Sequence, residues 1–329
     1  MLERIKQRVK REEMDYNGYV LCKTTGEIKE AMVSISSILN KHGIGTLYFG
    51  VKPSGNVIGQ DVSESSLRDV SMELPTAVSC YRMKFNKTNI NKDRKKQVDE
   101  MQIAGLSCKL YIPIGYNDTQ KHYPVIYVNG EIPVEEVINA VRKAGVDAEF
   151  LLLSIQPNDW NDDFTPWGAP AFRKGEEAPA GKADNYIRCL TEEIKPFMDA
   201  NYRTKPEPEH TVLFGYSLGG LAALYACYQT ELFGVVGSLS GSLWYDNFCE
   251  YMEQNKPLRE DLKVYLSLGR KECMSKNPRM GKVAECTEQA REILMRQLEK
   301  VYFEWNDGGH FHEIPKRFAK AIAWWACSL

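Results

Sequence analysis

A serine sits between glycines in Gly215-Tyr216-Ser217-Leu218-Gly219, the G-x-S-x-G spacing of a tight strand-to-helix turn that lifts a serine Oγ above a sheet. The residues around it suit that turn. Thr211-Val212-Leu213-Phe214 reads as a buried strand, and the small residues of Leu218-Gly219-Gly220-Leu221-Ala222-Ala223 suit a closely packed helix. A serine hydroxyl becomes a useful nucleophile only when a base removes its proton. Of the five histidines, only His310 and His312 follow Ser217, as the order nucleophile, acid, base requires. His310 ends the turn-rich stretch Trp305-Asn306-Asp307-Gly308-Gly309, where a base could swing over a sheet edge, whereas His312 reads as part of a helix entry.

The orienting acid should lie on a loop after a strand between serine and histidine. Val264-Tyr265-Leu266-Ser267-Leu268-Gly269 followed by Arg270-Lys271-Glu272 supplies one. Glu272 is therefore the expected acid, with Asp246 in reserve. A developing oxyanion needs two backbone N–H donors. Leu218 offers one, and the loop after the apolar run 124–129 offers the other from Gly130 or Glu131. Trp160, Trp167 and Trp244 lie in loops expected to flank a pocket, and with Tyr216 they would form an aromatic wall for an aryl or sugar-bearing group. Arg173 and Lys174, in the same insertion, either meet an acidic ligand or stand as a solvated charge pair.

These side chains need a scaffold that gathers distant loops at one edge. From about residue 104, strand-like runs at 106–112, 123–129, 149–155, 211–215, 235–239, 262–268 and 301–305 alternate with helical patterns. The helices are expected at 133–144, 184–201, 217–230, 247–254, 280–300 and 313–327. The later strand runs are continuously apolar, as strands covered by helices on both faces are. A doubly wound α/β domain with a mainly parallel sheet follows. Ahead of it, residues 17–86 carry a helix signal at 28–41, a strand at 46–51 and a turn into 57–60, which make a small α+β unit. Lys84, Lys87, Lys92, Arg94, Lys95 and Lys96 make 84–100 read as a solvated linker, so the domains are expected at 1–92 and 93–329.

Composition excludes several classes of function. With 43% hydrophobic and 26% charged residues, the 329-residue chain is not mainly disordered. Lys+Arg 42 against Asp+Glu 44 leaves a charge of -2, which gives no global field to attract nucleic acid or an anionic membrane. Nine cysteines without a C-x-x-C pair suit a reducing compartment better than a disulfide framework or a zinc site. The N-terminus lacks the apolar core of a presequence, and no apolar stretch approaches the roughly 20 residues of a membrane span. A cytoplasmic protein is expected.

Residues from about 111 to 325 resemble the serine esterases of the α/β-hydrolase superfamily, a family that includes enterochelin (ferric siderophore) esterases and feruloyl or acetyl esterases. The resemblance rests on Tyr123-Pro124-Val125-Ile126-Tyr127-Val128, on Asn158-Asp159-Trp160-Asn161-Asp162-Asp163-Phe164-Thr165-Pro166-Trp167 and on Tyr202-Arg203-Thr204. It continues through the serine turn, Leu239-Ser240-Gly241-Ser242-Leu243-Trp244 and Gly308-Gly309-His310. It implies an α/β-hydrolase fold, a small-molecule ester substrate and an acyl-enzyme on Ser217, with no metal or organic cofactor. This chain departs from the family at Val128-Asn129-Gly130-Glu131, where relatives often show Leu-Asp-Gly, and at Glu272, where aspartate is common. Residues 38–71 resemble the Schlafen-type AlbA-like domain, which implies a structural or homo-oligomerising role, or binding of nucleotide or nucleic acid. The competing reading is a hydrolase-like scaffold that binds a ligand or partner with little catalysis.

Overall fold

The structure is a computed structural model that describes residues 98–327 and, as backbone alone, 19–23 and 45–49. The chain divides into two units between Thr88 and Asn89. In the first unit, β1 (Tyr19–Lys23) runs parallel to β2 (Gly45–Phe49), with Tyr19 opposite Gly45. β2 overlaps the strand expected at 46–51. The helix at 28–41, the turn into 57–60, most of the AlbA-like stretch and most of the basic linker lie outside the described residues.

The second unit is built on an eight-stranded sheet. Its first strand, β3 (Val98–Ile103), pairs antiparallel with β4 (Leu106–Tyr111) through Ala104 and Gly105, both at positive φ as in a type I′ hairpin turn. β3 is a correction, because its first residues read in the sequence as part of the linker at 84–100. Only its end residues, Val98 and Ile103, are buried, so it lacks the apolar run of an inner strand.

The chain continues through β5 (Val125–Asn129), α1 (Val134–Lys143), β6 (Leu151–Ile155), α2 (Trp160–Asp163), α3 (Ala183–Cys189) and α4 (Lys195–Asn201). It then runs through β7 (Thr211–Tyr216), α5 (Leu218–Ala226), β8 (Val235–Leu239), α6 (Phe248–Gln254), β9 (Lys263–Gly269), α7 (Val283–Gln297), β10 (Lys300–Asn306) and α8 (Ile314–Ala326). The spatial order is β10-β9-β8-β7-β5-β6-β4-β3, parallel from β10 to β6 and antiparallel at β4 and β3. The single helix expected at 184–201 is two helices joined by a wide π-type turn, Leu190–Ile194. Pro196 has no N–H for the regular ladder, and the widened turn accommodates it.

Every residue of β5, β6, β7 and β8 is buried, and successive side chains enter two separate cores. Tyr127, Leu153, Leu213 and Val236 meet α3, α5 and α7 on one face. Ile126, Leu152, Phe214 and Val235 meet α1 and α8 on the other. β5 and β7 are neighbours, yet the helix after β5 packs on one face and the helix after β7 on the other. Such a divergence opens a crevice at the strand carboxyl ends, where open α/β sheets bind their ligands. The turns at Gly130 and Ser217 both follow those ends.

Among the described residues, no helix is long and apolar enough to cross a membrane, and no group of His, Cys, Asp and Glu is arranged to hold a metal ion. The described cysteines are free thiols.

Candidate active site

Ser217 stands at φ 59° and ψ -123°, a backbone that side-chain-bearing residues rarely adopt. Holding it there costs on the order of 1–3 kcal/mol, so the surroundings must enforce it. They do so with hydrogen bonds: Ser217 N–H donates to the Leu239 carbonyl at 3.1 Å, and its own carbonyl accepts from the N–H groups of Gly220, Leu221 and Ser242. The flanking glycines permit the approach. A Cβ on Gly215 would come within 2.0 Å of the Gly219 carbonyl oxygen, and one on Gly219 within 2.5 Å of the Asn129 oxygen.

His310 reaches this serine from the loop after β10. Its Nε2 lies 3.0 Å from Ser217 Oγ and its Nδ1 2.7 Å from Glu272 Oε2. A carboxylate only accepts, so the proton sits on Nδ1 and Nε2 is left to accept from the serine hydroxyl. Ser242 Oγ lies 3.4 Å from Ser217 Oγ.

Glu272 is buried at the turn after β9, and donors meet both of its oxygens. Oε1 accepts from Gly269 N–H at 2.7 Å, Ser240 Oγ–H at 2.7 Å and Arg317 Nη1–H at 2.8 Å. Burial pushes the carboxyl up, but the hydrogen bonds from His310, Ser240 and Arg317 outweigh it, and the group lies below the ordinary value of 4.5. Asp246, the reserve acid, faces Arg279 instead.

The turn after β5 corrects one expected donor. Gly130, at φ 103°, commits its N–H to the Ile155 carbonyl at 2.8 Å. Among the described residues nothing accepts the Glu131 N–H, which makes it the donor available in this turn. The Glu131 carboxylate points away, to Lys109. Ser154 pins the turn by donating to the Gly130 carbonyl at 2.9 Å and accepting from Ile132 N–H at 3.1 Å. Asn129 then ties this turn to the serine turn: its Nδ2 donates to the Gly219 carbonyl at 3.1 Å, and its Oδ1 accepts from the Tyr186 hydroxyl at 3.0 Å. Leu218 opens α5, so its N–H belongs to the first-turn amides that have no partner within the helix.

The aromatic residues separate into different settings. Trp160 is 40% exposed, stands edge-on to Phe164 and covers Gly130, where a Cβ would meet its ring at 2.8 Å. Trp244 packs edge-on to Phe172 with Arg279 beside both rings. The Trp167 Nε1–H donates to the Asp246 carbonyl at 2.9 Å, and its ring packs among Tyr225, Tyr245, Phe248 and Tyr251. Tyr216 is buried, its hydroxyl donates to the His310 carbonyl, and burial pushes that hydroxyl up to about 12. Arg173 pairs with Glu176 in solvent, and the exposed His312 fills the space above Gly308.

Asn129, Ser154, Ser240 and Arg317 were not anticipated as parts of this constellation. Ser240 stands in the Leu239–Trp244 motif, which is the one signal that could have marked it. An arginine on a helix ordinarily faces solvent, so nothing in the pattern singles out Arg317.

A family model described as "Putative esterase" matches residues 105–322. The uncharacterized protein YbbA of Bacillus subtilis (strain 168) is 25% identical over 240 residues, covering 70% of this chain and 96% of that protein. The iron(III) enterobactin esterase of Escherichia coli (strain K12) is 30% identical over 146 residues, covering 42% of this chain but only 34% of that enzyme. The solved structure of the siderophore hydrolase EstA from Aspergillus nidulans superposes with a TM-score of 0.55 at 18% identity, over 75% of this chain and 99% of that one. At that identity the likeness is one of fold.

Proposed function

This chain belongs to the esterase family, and from that membership we propose that it hydrolyses carboxylic esters through an acyl-enzyme on Ser217. The observation that carries this reading is the run of contacts from Ser217 Oγ to His310 Nε2 at 3.0 Å and from His310 Nδ1 to Glu272 Oε2 at 2.7 Å. Oγ attacks the ester carbonyl carbon while Nε2 takes the hydroxyl proton, and the N–H groups of Leu218 and Glu131 meet the oxyanion. Collapse breaks the C–O bond, and His310 passes its proton to the departing alkoxide. Water then attacks the acyl carbon and gives a proton to Nε2. The second collapse returns that proton to Ser217 Oγ and frees the acid. Glu272 stays ionised throughout, holding the Nδ1–H and stabilising the imidazolium.

The names of the relatives support a siderophore-type ester or another acyl ester as substrate. The exposed ring of Trp160 beside the Gly130 turn supports a substrate with a flat face. The test is turnover of p-nitrophenyl acetate, its burst, and fluorophosphonate labelling in wild type, Ser217→Ala and His310→Ala, followed by an ester panel that includes siderophore lactones. Ser217→Ala should abolish labelling and lower kcat by about 10⁴-fold or more. Undiminished turnover in Ser217→Ala would overturn the reading.

A further inference from the structure

Arg317 belongs to α8, yet the residue is only 1% exposed. Long side chains on a helix lean toward its N-terminus, and here that lean carries the guanidinium under the loop bearing His310. Nη1 lies 2.8 Å from Glu272 Oε1, 2.5 Å from Ser240 Oγ and 2.9 Å from the Tyr216 hydroxyl. Nη2 donates to the carbonyls of Gly309 at 2.7 Å and Asp307 at 3.2 Å. One planar cation therefore touches the end of β7, the loop after β8, the turn after β9 and the loop after β10.

We propose that Arg317 is a positioning residue of the reaction, one that locks the turn carrying Glu272 and the loop carrying His310 into a single unit aimed at Ser217. The proposal rests on the roles given above to those three residues. It differs from an ordinary buried ion pair in where the contacts fall. Arg317 takes Oε1 of Glu272, leaving Oε2 to His310 Nδ1. Its second nitrogen meets no carboxylate at all; it holds carbonyls on the base-bearing loop, and Tyr216, itself held by Nη1, donates to the carbonyl of His310. The backbone is bare where these pieces meet: a Cβ on Gly269 would come within 2.7 Å of Arg317 Nη2, Glu272 Oε1 and the Gly308 carbonyl oxygen. A lysine would keep the charge, but one nitrogen cannot span both sets of acceptors.

The experiment compares wild type, Arg317→Lys and Ser217→Ala by p-nitrophenyl acetate kinetics, fluorophosphonate labelling rate and thermal melting. Arg317→Lys should melt cooperatively, with kcat and labelling rate lowered about 10- to 100-fold, the scale expected from a misplaced catalytic group, and KM nearly unchanged. A purely structural arginine would lower the melting temperature and leave kcat of the folded protein intact. Wild-type kcat in folded Arg317→Lys, alongside an inactive Ser217→Ala, overturns the positioning role and leaves the esterase mechanism standing. Full turnover in Ser217→Ala removes both. If Arg317→Lys does not fold, Tyr216→Phe takes its place, because it removes the bridge from Arg317 Nη1 to the His310 carbonyl and leaves the buried ion pair intact. A lower labelling rate in the folded variant supports the proposal, and a wild-type rate overturns it.

Discussion

Glu272 has donors on every side that matters, and this dictates how it should respond to substitution. In Glu272→Gln the amide oxygen is the only group that can accept from Gly269, Ser240 and Arg317, which turns the amide NH₂ toward His310 Nδ1. That forces the proton of the imidazole onto Nε2, where it blocks acceptance from Ser217. Loss of kcat by about 10⁴-fold is expected, with KM little changed, from steady-state kinetics on the best ester substrate. The same carboxyl shapes acid stability. Its value in the fold lies below the ordinary 4.5, so its stabilising contribution is complete above that pH and disappears as pH falls through the lower folded value. Urea midpoints measured across this range should show wild type losing an acid-side advantage that Glu272→Gln never had. Tyr216 acts in the opposite direction: raised to about 12, it favours the fold below about pH 10 and loses that contribution as pH rises through 12.

Two turns at the β5 and β7 ends place Ser217 and the Glu131 N–H, and both are held by contacts that small changes would break. Ser154 is 1% exposed and satisfies both the Gly130 carbonyl and the Ile132 N–H. Ser154→Ala would leave those groups without partners, at a cost of about 1–3 kcal/mol, and would loosen the Glu131 donor. A lower urea midpoint together with a lower kcat is the expected outcome; a fall in stability alone would separate the turn from catalysis. Gly219→Ala drives a methyl group to 2.5 Å from the Asn129 carbonyl oxygen, which is backbone and has little room to yield. Overpacking of this kind costs about 1–3 kcal/mol. Because the clash pries the serine turn from β5, fluorophosphonate labelling should slow along with the drop in melting temperature.

At the scale of the molecule, the sheet itself sets the distance between Ser217, Glu272 and His310, since these follow β7, β9 and β10, with β8 and β9 between the outer two. Phe214 anchors β7 in that frame. It is fully buried three residues before Ser217, and its ring lies across Gly237 of the neighbouring strand, where a Cβ would meet it at 2.4 Å. Phe214→Ala should destabilise the fold by about 3–5 kcal/mol, read as a lower midpoint in denaturant unfolding.

What the amino-acid sequence determined by itself was local in origin. Strand and helix signals, the G-x-S-x-G turn and the glycine-rich loop before His310 all arise from periodicity and turn chemistry within a few residues, so the parallel sheet was legible, as were the loops that carry Ser217, Glu272 and His310. Edge strand β3 was not, because a strand with few buried positions has no such periodicity. The rest depended on atoms from distant segments meeting. Whether Gly130 or Glu131 offers a free N–H was decided by where β6 ends, since the Ile155 carbonyl claims the first. Trp167 faces an aromatic cluster and Tyr216 faces the His310 loop because the helices and loops packed beside them lie far away in sequence. Arg317 shows the limit most clearly: its guanidinium joins the end of β7 and the loops after β8, β9 and β10, and no pattern around residue 317 could state which segments the tertiary fold would bring to it.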